Sequence, residues 1–486
     1  MDLENLTIKE LHEFLMKREI SAQELTKFYL SRINQQDQDI KAFLSLNDEA
    51  LEQAQQADKI LKTEKDLPPL FAIPMAIKDN ILVKGMPATA GSKILENYKA
   101  SYDATVISRL KQDGAIFLGK TNLDEFAMGS STENSAFFET RNPNDLERVP
   151  GGSSGGSAAA ISAKMAKCAL GTDTGGSIRQ PASFCGVAGL KPTYGSVSRF
   201  GAIALASSLD QIGPLANNIE DLAVTFEAIS GIDKFDATTS QLADFKGLSE
   251  SLINKPIDIK NLKIGVPVEF FEGGINDKVK QAVQTAISWY EKQGAKISDI
   301  HLPYSPYGLA TYYLILPAEV SANLARYDGV RYGLKVKAST FQEVFSKTRG
   351  IGIGCEPRRR IMLGTFALSA GYYDAYYNKA QKVRRLIMED FQKAFEKVDV
   401  LLTPTSPFTA FKFGEKIDPV SMYLSDVYTV PINLAGIPAL SLNCGFEKIE
   451  NKELPIGLQI IGDHFQEELI LKVAHLFDKY APKPEF

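Results

Sequence analysis

Two glycine-rich loops that carry serine, both within the stretch from Pro150 to Thr193, constrain this chain more than any other feature. The first loop reads GGSSGGS over 151–157, and the second reads GTDTGGS over 171–177. Glycine is favoured where the backbone takes unusual dihedral angles or approaches another group closely. A serine on such a loop can attack a carbonyl, and neighbouring backbone N–H groups can hold the oxyanion that forms. The pattern therefore predicts nucleophilic catalysis.

A lysine at the end of an apolar run supplies a candidate base. The run Phe71–Ile77 predicts a buried strand that delivers Lys78 to its end. A lysine beside hydrophobic surface has a lowered pKa and can then accept a proton. None of the histidines neighbours a glycine-serine loop in sequence, so the residues favour a Ser-Lys arrangement over a Ser-His one. Taken alone, Lys78 also fits a plain surface lysine.

Phosphate binding is the main alternative for the glycine loops. A P-loop requires a lysine after its last glycine, whereas GGSSGG is followed by Ser157 and Ala158. Neither loop fits the dinucleotide-binding fingerprint within a βαβ unit. Three charged residues beside the candidate catalytic positions are interpreted as groups that hold the loops through charge-assisted hydrogen bonds. They are Asp79, Asp173 and Arg179.

Charge and composition exclude several classes of function. A net charge of −5 does not suit a protein that meets nucleic acid through a broad surface. The four cysteines fit no C-x-x-C pattern and are expected to be buried free thiols, and no histidine pair predicts a metal site. No apolar run approaches the ~18 residues of a membrane span, and the N-terminus lacks the features of a secretory signal. We therefore expect a cytoplasmic protein with no membrane segment.

Hydrophobic periodicity predicts alternating helices and strands along the whole chain. This favours one compact α/β domain around a large parallel or mixed sheet over separable domains. An amphipathic run after Thr7 predicts the first helix, and a capping box at Ser21 predicts a second helix through about Ile33. Ser177 is expected to open another helix. Other helices are predicted over 47–65, 104–114, 155–164, 277–293 and 463–480, strands over 115–119, 168–171, 262–267, 399–403 and 439–444, and an irregular polar segment over 231–260.

The lysine, the GGSSGG loop and the GTDTGGSIR loop, in this order and spacing, resemble the amidase-signature family. The resemblance implies a single large domain over 1–486, with a central mixed β-sheet covered by helices on both faces. Its signature core would span about 66–220, and peripheral helical and substrate-binding segments about 1–65 and 231–400.

The resemblance also implies roles for the loop residues. Lys78 would be the base, Ser153 would bridge, and Ser177 would form an acyl-enzyme. Backbone N–H groups would hold the oxyanion, contributed by Thr174, Gly175, Gly176 and Ser177 itself. The bridging serine is expected at the third position of GGSSGG, which excludes Ser154, and a cis peptide bond adjoins it in the family.

Four further segments resemble one branch of this family, the A subunits of tRNA-dependent amidotransferases. They are 122–131, 207–214, 326–333 and 371–377. This implies glutamine as the substrate, held by Tyr312, Arg360 and Asp426. Pro357 departs from the branch's pattern, so which of Arg358, Arg359 and Arg360 contacts the substrate is open.

The same resemblance implies partners. A B subunit would use ATP and magnesium to convert Glu-tRNA(Gln), or Asp-tRNA(Asn), with ammonia from this chain. A small C subunit would clasp the pair, and aminoacyl-tRNA would be met mainly through the partner. No cofactor is expected in this chain itself. Two alternatives remain at this point: a stand-alone amidase that acts on another small amide, and a non-catalytic scaffold with the same fold.

Overall fold

A mixed sheet of eleven strands runs through the part of the chain that the computed structural model describes, residues 2–416 and 418–482. In chain order the strands are β1 Phe43–Leu46, β2 Pro74–Lys78, β3 Ile116–Thr121, β4 Cys168–Asp173, β5 Ala188–Lys191, β6 Gln211–Ala216, β7 Lys263–Pro267, β8 Lys296–Ile300, β9 Val400–Pro404, β10 Ala439–Ile449 and β11 Lys452–Gly462. Their spatial order is β1-β3-β2-β4-β6-β5-β10-β11-β9-β7-β8.

Sixteen α-helices surround the sheet within those described residues. They are α1 Ile8–Lys17, α2 Ala22–Ile40, α3 Ala50–Ile60, α4 Thr105–Gln112, α5 Gly155–Ser162, α6 Arg179–Cys185, α7 Ile219–Ile229, α8 Leu248–Asn254, α9 Asp277–Lys292, α10 Gly308–Asn323, α11 Phe341–Gly352, α12 Cys355–Ala367, α13 Lys379–Phe395, α14 Pro419–Tyr423, α15 Val430–Ala435 and α16 Glu467–Tyr480. None of them is long and apolar enough to cross a membrane.

Parallel and antiparallel pairs alternate in blocks across the sheet. Strand β2 runs parallel to both β3 and β4, and β7 runs parallel to both β8 and β9. The pairs between these blocks, and β1 at the edge, are antiparallel. The predicted single α/β domain with a mixed central sheet is confirmed.

Strand residues alternate between two apolar clusters, one on each face of the sheet. Along β9, Val400 and Leu402 belong to one cluster, and Leu401 belongs to the other. The first cluster also contains buried residues of α1, α2, α7, α9 and α16, and the second contains those of α10, α13 and α15. Because side chains of a strand alternate in direction, helices on both faces are required to bury them.

Local sequence signals locate several elements well. Ser21 forms the predicted capping box with Glu24, and the structure shows a second complete capping box between Thr7 and Glu10. The second helix extends to Ile40, beyond the predicted end near Ile33. The segment over 231–260 is not wholly irregular, because α8 lies within it.

Two other predictions need correction. The helix expected to open at Ser177 begins at Arg179, because the turn before it is held by the Asp173 side chain. The cysteines form no disulfide in the described residues, but they are not all buried. Cys168 and Cys185 are buried, whereas Cys355 is exposed and Cys444 is intermediate.

Helices α10 and α12 approach unusually closely at Gly364. A Cβ atom at this position would lie 1.7 Å from the carbonyl oxygen of Pro317, an overlap that only a shift of the backbone can relieve. The close packing brings the inner residues of the two helices together. Glycine is needed at position 364 because the two helices touch there, and not because the backbone takes an unusual φ angle.

We expect Gly364→Ala to lower the free energy of unfolding by about 1–3 kcal/mol, the usual cost of overpacking a core. The matched control is Gly350→Ala in α11, where an added Cβ would meet no atom within 4 Å. Alanine is favoured over glycine inside a helix, so the control should stabilise by up to about 1 kcal/mol. Chemical denaturation of both variants measures the difference, and equal effects would show that the helices do not depend on this contact.

Candidate active site

Lys78 lies where two neighbouring parallel strands end. It is the last residue of β2, which pairs in parallel with β4, and the second glycine loop begins within β4. Parallel strands end at the same edge of a sheet, where α/β proteins commonly place their sites. The first glycine loop leads into α5 beside this edge, and Ser154 N donates to Ser177 O at 3.1 Å.

The amine of Lys78 is buried among hydroxyl groups. Its Nζ atom lies 2.8 Å from Ser153 Oγ, 2.9 Å from Ser154 Oγ and 2.8 Å from Thr172 Oγ1. Burial lowers the pKa of Lys78 to about 7, although three buried carboxylates oppose this shift. They belong to Asp124, Asp173 and Asp210. The amine can therefore be neutral near physiological pH, as a general base requires.

The two adjacent serines of the first loop differ in their hydrogen bonds. Ser154 Oγ donates to Thr172 O at 3.1 Å and accepts from Thr172 N at 3.2 Å, so it is tied to β4. Ser153 Oγ has no partner except Lys78 among the described residues. The peptide bond between Gly152 and Ser153 is cis. Of the two, only the Ser153 hydroxyl is able to exchange a proton with a further group.

The Asp173 carboxylate organises the second loop. It accepts from the backbone N–H groups of Gly176 at 2.8 Å and Ile178 at 3.1 Å. It also accepts two hydrogen bonds from the guanidinium of Arg179, at 3.0 and 3.1 Å. Burial alone would raise the pKa of Asp173, but the Arg179 charge overrides it and holds that pKa well below its usual range. The carboxylate stays charged and fixes the loop, as the sequence predicted for this pair.

The four backbone N–H groups predicted to hold an oxyanion are not equivalent. The N–H of Gly176 already donates to Asp173, so it is engaged within the protein. Those of Thr174, Gly175 and Ser177 have no acceptor within residues 2–416 and 418–482. An added Cβ at Gly175 would lie 2.6 Å from the Tyr312 hydroxyl, so any other residue there would displace the tyrosine. The loop therefore presents three unused donors, and its close contact with Tyr312 confirms that α10 reaches the site.

Asp426 is buried close to the second loop. Ser130 Oγ donates to its carboxylate at 2.6 Å, and burial raises the pKa of Asp426 to about 7 against the effect of that hydrogen bond. Thr429 Oγ1 lies within hydrogen-bond distance of both Gly175 O, at 2.6 Å, and Asp426 O, at 3.1 Å. The segment that carries Asp426 is thus fastened to the loop that carries Ser177.

Arg360 is the one arginine of its cluster that points inward. Its side chain is 4% exposed, and Nε donates to Glu356 at 2.8 Å. Its guanidinium carbon lies 5.2 and 5.4 Å from the ring centres of Tyr313 and Tyr423. No residue of the described chain accepts a hydrogen bond from its two terminal nitrogens. Arg358 and Arg359, in contrast, are exposed to solvent.

The structure brings the sequence-predicted residues into one region and adds others that the sequence did not single out. Arg360 acts electrostatically on both Tyr312 and Asp426. The additions include Thr172 and Asn80 beside Lys78, Ser130 beside Asp426, and Glu356 beside Arg360. Ser130 lies in one of the segments that carried the family resemblance, and this was the signal available for it. No group of three histidine, cysteine or acidic residues in the described chain could hold a metal ion.

Comparison with known proteins agrees with this geometry. The model of the amidase family matches residues 24–471. The A subunit of glutamyl-tRNA(Gln) amidotransferase from Sulfurihydrogenibium sp. is 54% identical over 98% of this chain and 97% of its own length. The corresponding protein of Carboxydothermus hydrogenoformans is 55% identical over 99% of this chain and 98% of its own length.

A solved structure gives the same result. The crystal structure of the glutamyl-tRNA(Gln) amidotransferase A subunit from Thermotoga maritima has a TM-score of 0.80 and 45% identity, and the match covers 100% of this chain and 97% of that one. The predicted resemblance is confirmed. The chain belongs to the amidase family, within the group of glutamyl-tRNA(Gln) amidotransferase A subunits.

Proposed function

We propose that this chain is the glutaminase subunit of a tRNA-dependent amidotransferase. It hydrolyses the side-chain amide of glutamine and supplies ammonia for the conversion of Glu-tRNA(Gln) to Gln-tRNA(Gln). The proposal rests on one region of the structure that combines three features. They are a buried Lys78–Ser153 contact, a serine loop with unused N–H donors, and the charged groups of Arg360 and Asp426, whose hydrogen-bonding capacity is only partly used. The names of the similar proteins support the same assignment.

In the proposed mechanism, Ser177 Oγ attacks the side-chain carbonyl carbon of glutamine. Its proton passes to Ser153, and the Ser153 proton passes to the neutral amine of Lys78. The backbone N–H groups of Thr174, Gly175 and Ser177 hold the oxyanion, and removing one such donor typically costs ~10²–10³ in kcat. The C–N bond then breaks, and the same path returns a proton so that ammonia leaves. Water hydrolyses the glutamyl ester of Ser177.

Recognition of free glutamine follows from the two opposite charges near the loop. Arg360 can bind the α-carboxylate through its two terminal nitrogens, and Asp426 can bind the α-ammonium. Tyr312 adds a hydroxyl beside Gly175. The raised pKa of Asp426 suits this role. A bound ammonium group would favour the ionised carboxylate, and the two opposite charges would then attract each other.

The partners are part of the same proposal. A B subunit would use ATP and magnesium to activate the aminoacyl-tRNA, and a small C subunit would clasp the two larger ones. The chain would meet aminoacyl-tRNA mainly through the B subunit and would work in the cytoplasm, without a cofactor of its own. Asp-tRNA(Asn) is a second possible acceptor, although the names of the relatives favour Glu-tRNA(Gln).

The two alternatives fit the site less well. A stand-alone amidase for an apolar amide would have no use for buried charges such as Arg360 and Asp426, which are costly without a charged ligand. A non-catalytic scaffold would have no need of a buried lysine in contact with a serine hydroxyl. The intact constellation of Lys78, Ser153 and Ser177 therefore favours a glutaminase.

Ser177→Ala should abolish glutamine-dependent transamidation by the assembled complex and leave the ammonia-dependent reaction intact. The reason is that Ser177 serves only to release ammonia. The measurement is formation of Gln-tRNA(Gln) with glutamine or with ammonium chloride as the nitrogen donor. A variant complex that ammonium cannot rescue would contradict the assignment of this chain as the glutaminase.

The glutaminase kcat should rise with pH to a plateau, with a midpoint near 7. Lys78 is protonated below its pKa of about 7 and cannot accept the serine proton, so activity is lost as the pH falls through this value. The profile of kcat/KM should be steeper, because Asp426, with a pKa of about 7, must also ionise in the free enzyme.

Lys78→Arg should lose roughly three orders of magnitude in kcat, since a guanidinium stays charged. An active Lys78→Arg enzyme would exclude the lysine as base.

Arg360→Ala should raise KM for glutamine by roughly two to three decades, because one ligand charge would be left unpaired in the site. A smaller loss of kcat is expected, since binding away from the amide helps to orient it. Arg358→Ala is the matched control and should leave KM unchanged, because that side chain is exposed. Steady-state kinetics on glutamine and on a simple amide without an α-carboxylate make the test. Equal impairment of both substrates would reduce Arg360 to a structural role.

A further inference from the structure

The hydrogen bonds around Lys78 define a direction for its lone pair. We propose that Thr172 and Asn80 are positioning residues that turn the lone pair of the neutral Lys78 amine toward Ser153. The inference rests on the proposed amide hydrolysis and extends the base assembly by two residues, one on β4 and one in the turn that follows β2.

Ser154 can only accept a hydrogen bond from Lys78. Its hydroxyl donates to Thr172 O and accepts from Thr172 N, so its proton and one of its lone pairs are in use. A hydroxyl has one donor and two acceptor sites. The remaining site is an acceptor, and it lies 2.9 Å from Lys78 Nζ. Ser154 therefore receives an N–H of the lysine and cannot supply it with a proton.

Thr172 is placed as a second acceptor. Its Oγ1 atom accepts from Lys78 Nζ at 2.8 Å and from Asn80 Nδ2 at 3.0 Å, so both of its acceptor sites are filled. Thr172 and Asn80 are only 4% and 3% exposed, which keeps water from competing for these positions. The Asn80 amide thus holds the Thr172 hydroxyl in an orientation that accepts from the lysine.

A neutral amine carries two N–H groups and one lone pair. Ser154 Oγ and Thr172 Oγ1 are the two near acceptors, and Thr172 O is a longer contact at 3.4 Å on the side of Thr172. Both N–H groups are then used, and the third direction faces Ser153 Oγ at 2.8 Å. Ser153 has no other partner in the described chain, so its proton is the one that the lone pair can receive. Without the Thr172 hydroxyl the amine could rotate, and an N–H would compete for the place opposite Ser153.

The surrounding charges determine the sign of the pH effect. Lys78 faces the carboxylates of Asp124, Asp173 and Asp210, which favour its protonated form. The Thr172 oxygen does the same, because a hydrogen bond from a charged donor is stronger than one from a neutral donor. Replacing Thr172 by valine removes that stabilisation, so the pKa of Lys78 should fall while the base becomes less well oriented.

The experiment compares Thr172→Val, which is nearly isosteric but lacks the hydroxyl, with Thr172→Ser, which retains it. The first readout is glutaminase kcat against pH. The second is the rate at which phenylmethanesulfonyl fluoride sulfonylates Ser177 of the full chain, followed by intact-mass spectrometry against pH. This second readout requires the activated nucleophile but not glutamine. Asn80→Leu is the companion variant, because it removes only the donor to Thr172.

We expect Thr172→Val to lower the plateau of both rates at least about tenfold, within the range that general-base catalysis contributes, and to move the acid midpoint to lower pH. Thr172→Ser should restore both, and Asn80→Leu should lower the plateaus. Unchanged plateaus and midpoint in Thr172→Val would overturn the proposal, as would lowered plateaus with an unshifted midpoint, which a purely structural defect would produce. If wild-type Ser177 is sulfonylated with the expected pH profile but glutamine is not hydrolysed, the proposed function fails while the positioning network stands.

Discussion

The buried ion pair between Asp173 and Arg179 is the interaction on which the rest of the site depends. Both side chains are fully buried, and the carboxylate also accepts from Asn433 at 2.9 Å. The guanidinium reaches Gln459 on β11 and the carbonyl of Thr429. Removing one member of such a pair leaves an uncompensated charge, typically at a cost of about 3–5 kcal/mol. The ion pair therefore joins the second glycine loop to the opposite half of the sheet and to the segment that carries Asp426.

The pKa of Lys78 reflects two opposing effects, and the Asp173–Arg179 ion pair influences one of them. Burial disfavours the charged amine, and the nearby carboxylates favour it. Because Asp173 is already neutralised by Arg179, it opposes the lowering of the Lys78 pKa less than a lone carboxylate would. The result is a buried amine that can be neutral near pH 7 and that lies among three hydroxyl groups.

The residues proposed to bind substrate depend on a different constraint, the packing of helices over one face of the sheet. Tyr312 lies on α10, Arg360 on α12 and Asp426 just after α14. The contact of Gly364 with Pro317 sets how closely α12 approaches α10, and Thr429 fastens the Asp426 segment to the serine loop. The residues proposed for catalysis and those proposed for substrate binding thus lie on separate parts of the fold, which meet at the carboxyl ends of β2 and β4.

The local sequence was sufficient to predict the elements that depend only on residues close together in the chain. Neighbouring residues were enough to predict the amphipathic helix after Thr7, the capping box of Ser21, the apolar strand before Lys78 and the two glycine-serine loops, because hydrogen bonds and periodicity act over a few positions. The family resemblance and the mixed sheet followed from the same motifs. Helix α10, in contrast, gave no amphipathic signal, because it contains Pro317 and is apolar around much of its circumference.

Only the tertiary structure decided which donors, acceptors and charged groups remain available to a ligand. It assigns the Gly176 N–H to Asp173, ties Ser154 to β4 while Ser153 stays available, and turns Arg360 inward while Arg358 and Arg359 face solvent. It also gives Thr172, Asn80 and Ser130 their partners, which no pattern along the chain specified. The physical reason is that a hydrogen-bond partner or a burial state belongs to a three-dimensional neighbourhood, built here from segments up to several hundred residues apart, whereas sequence patterns report the preferences of each segment alone.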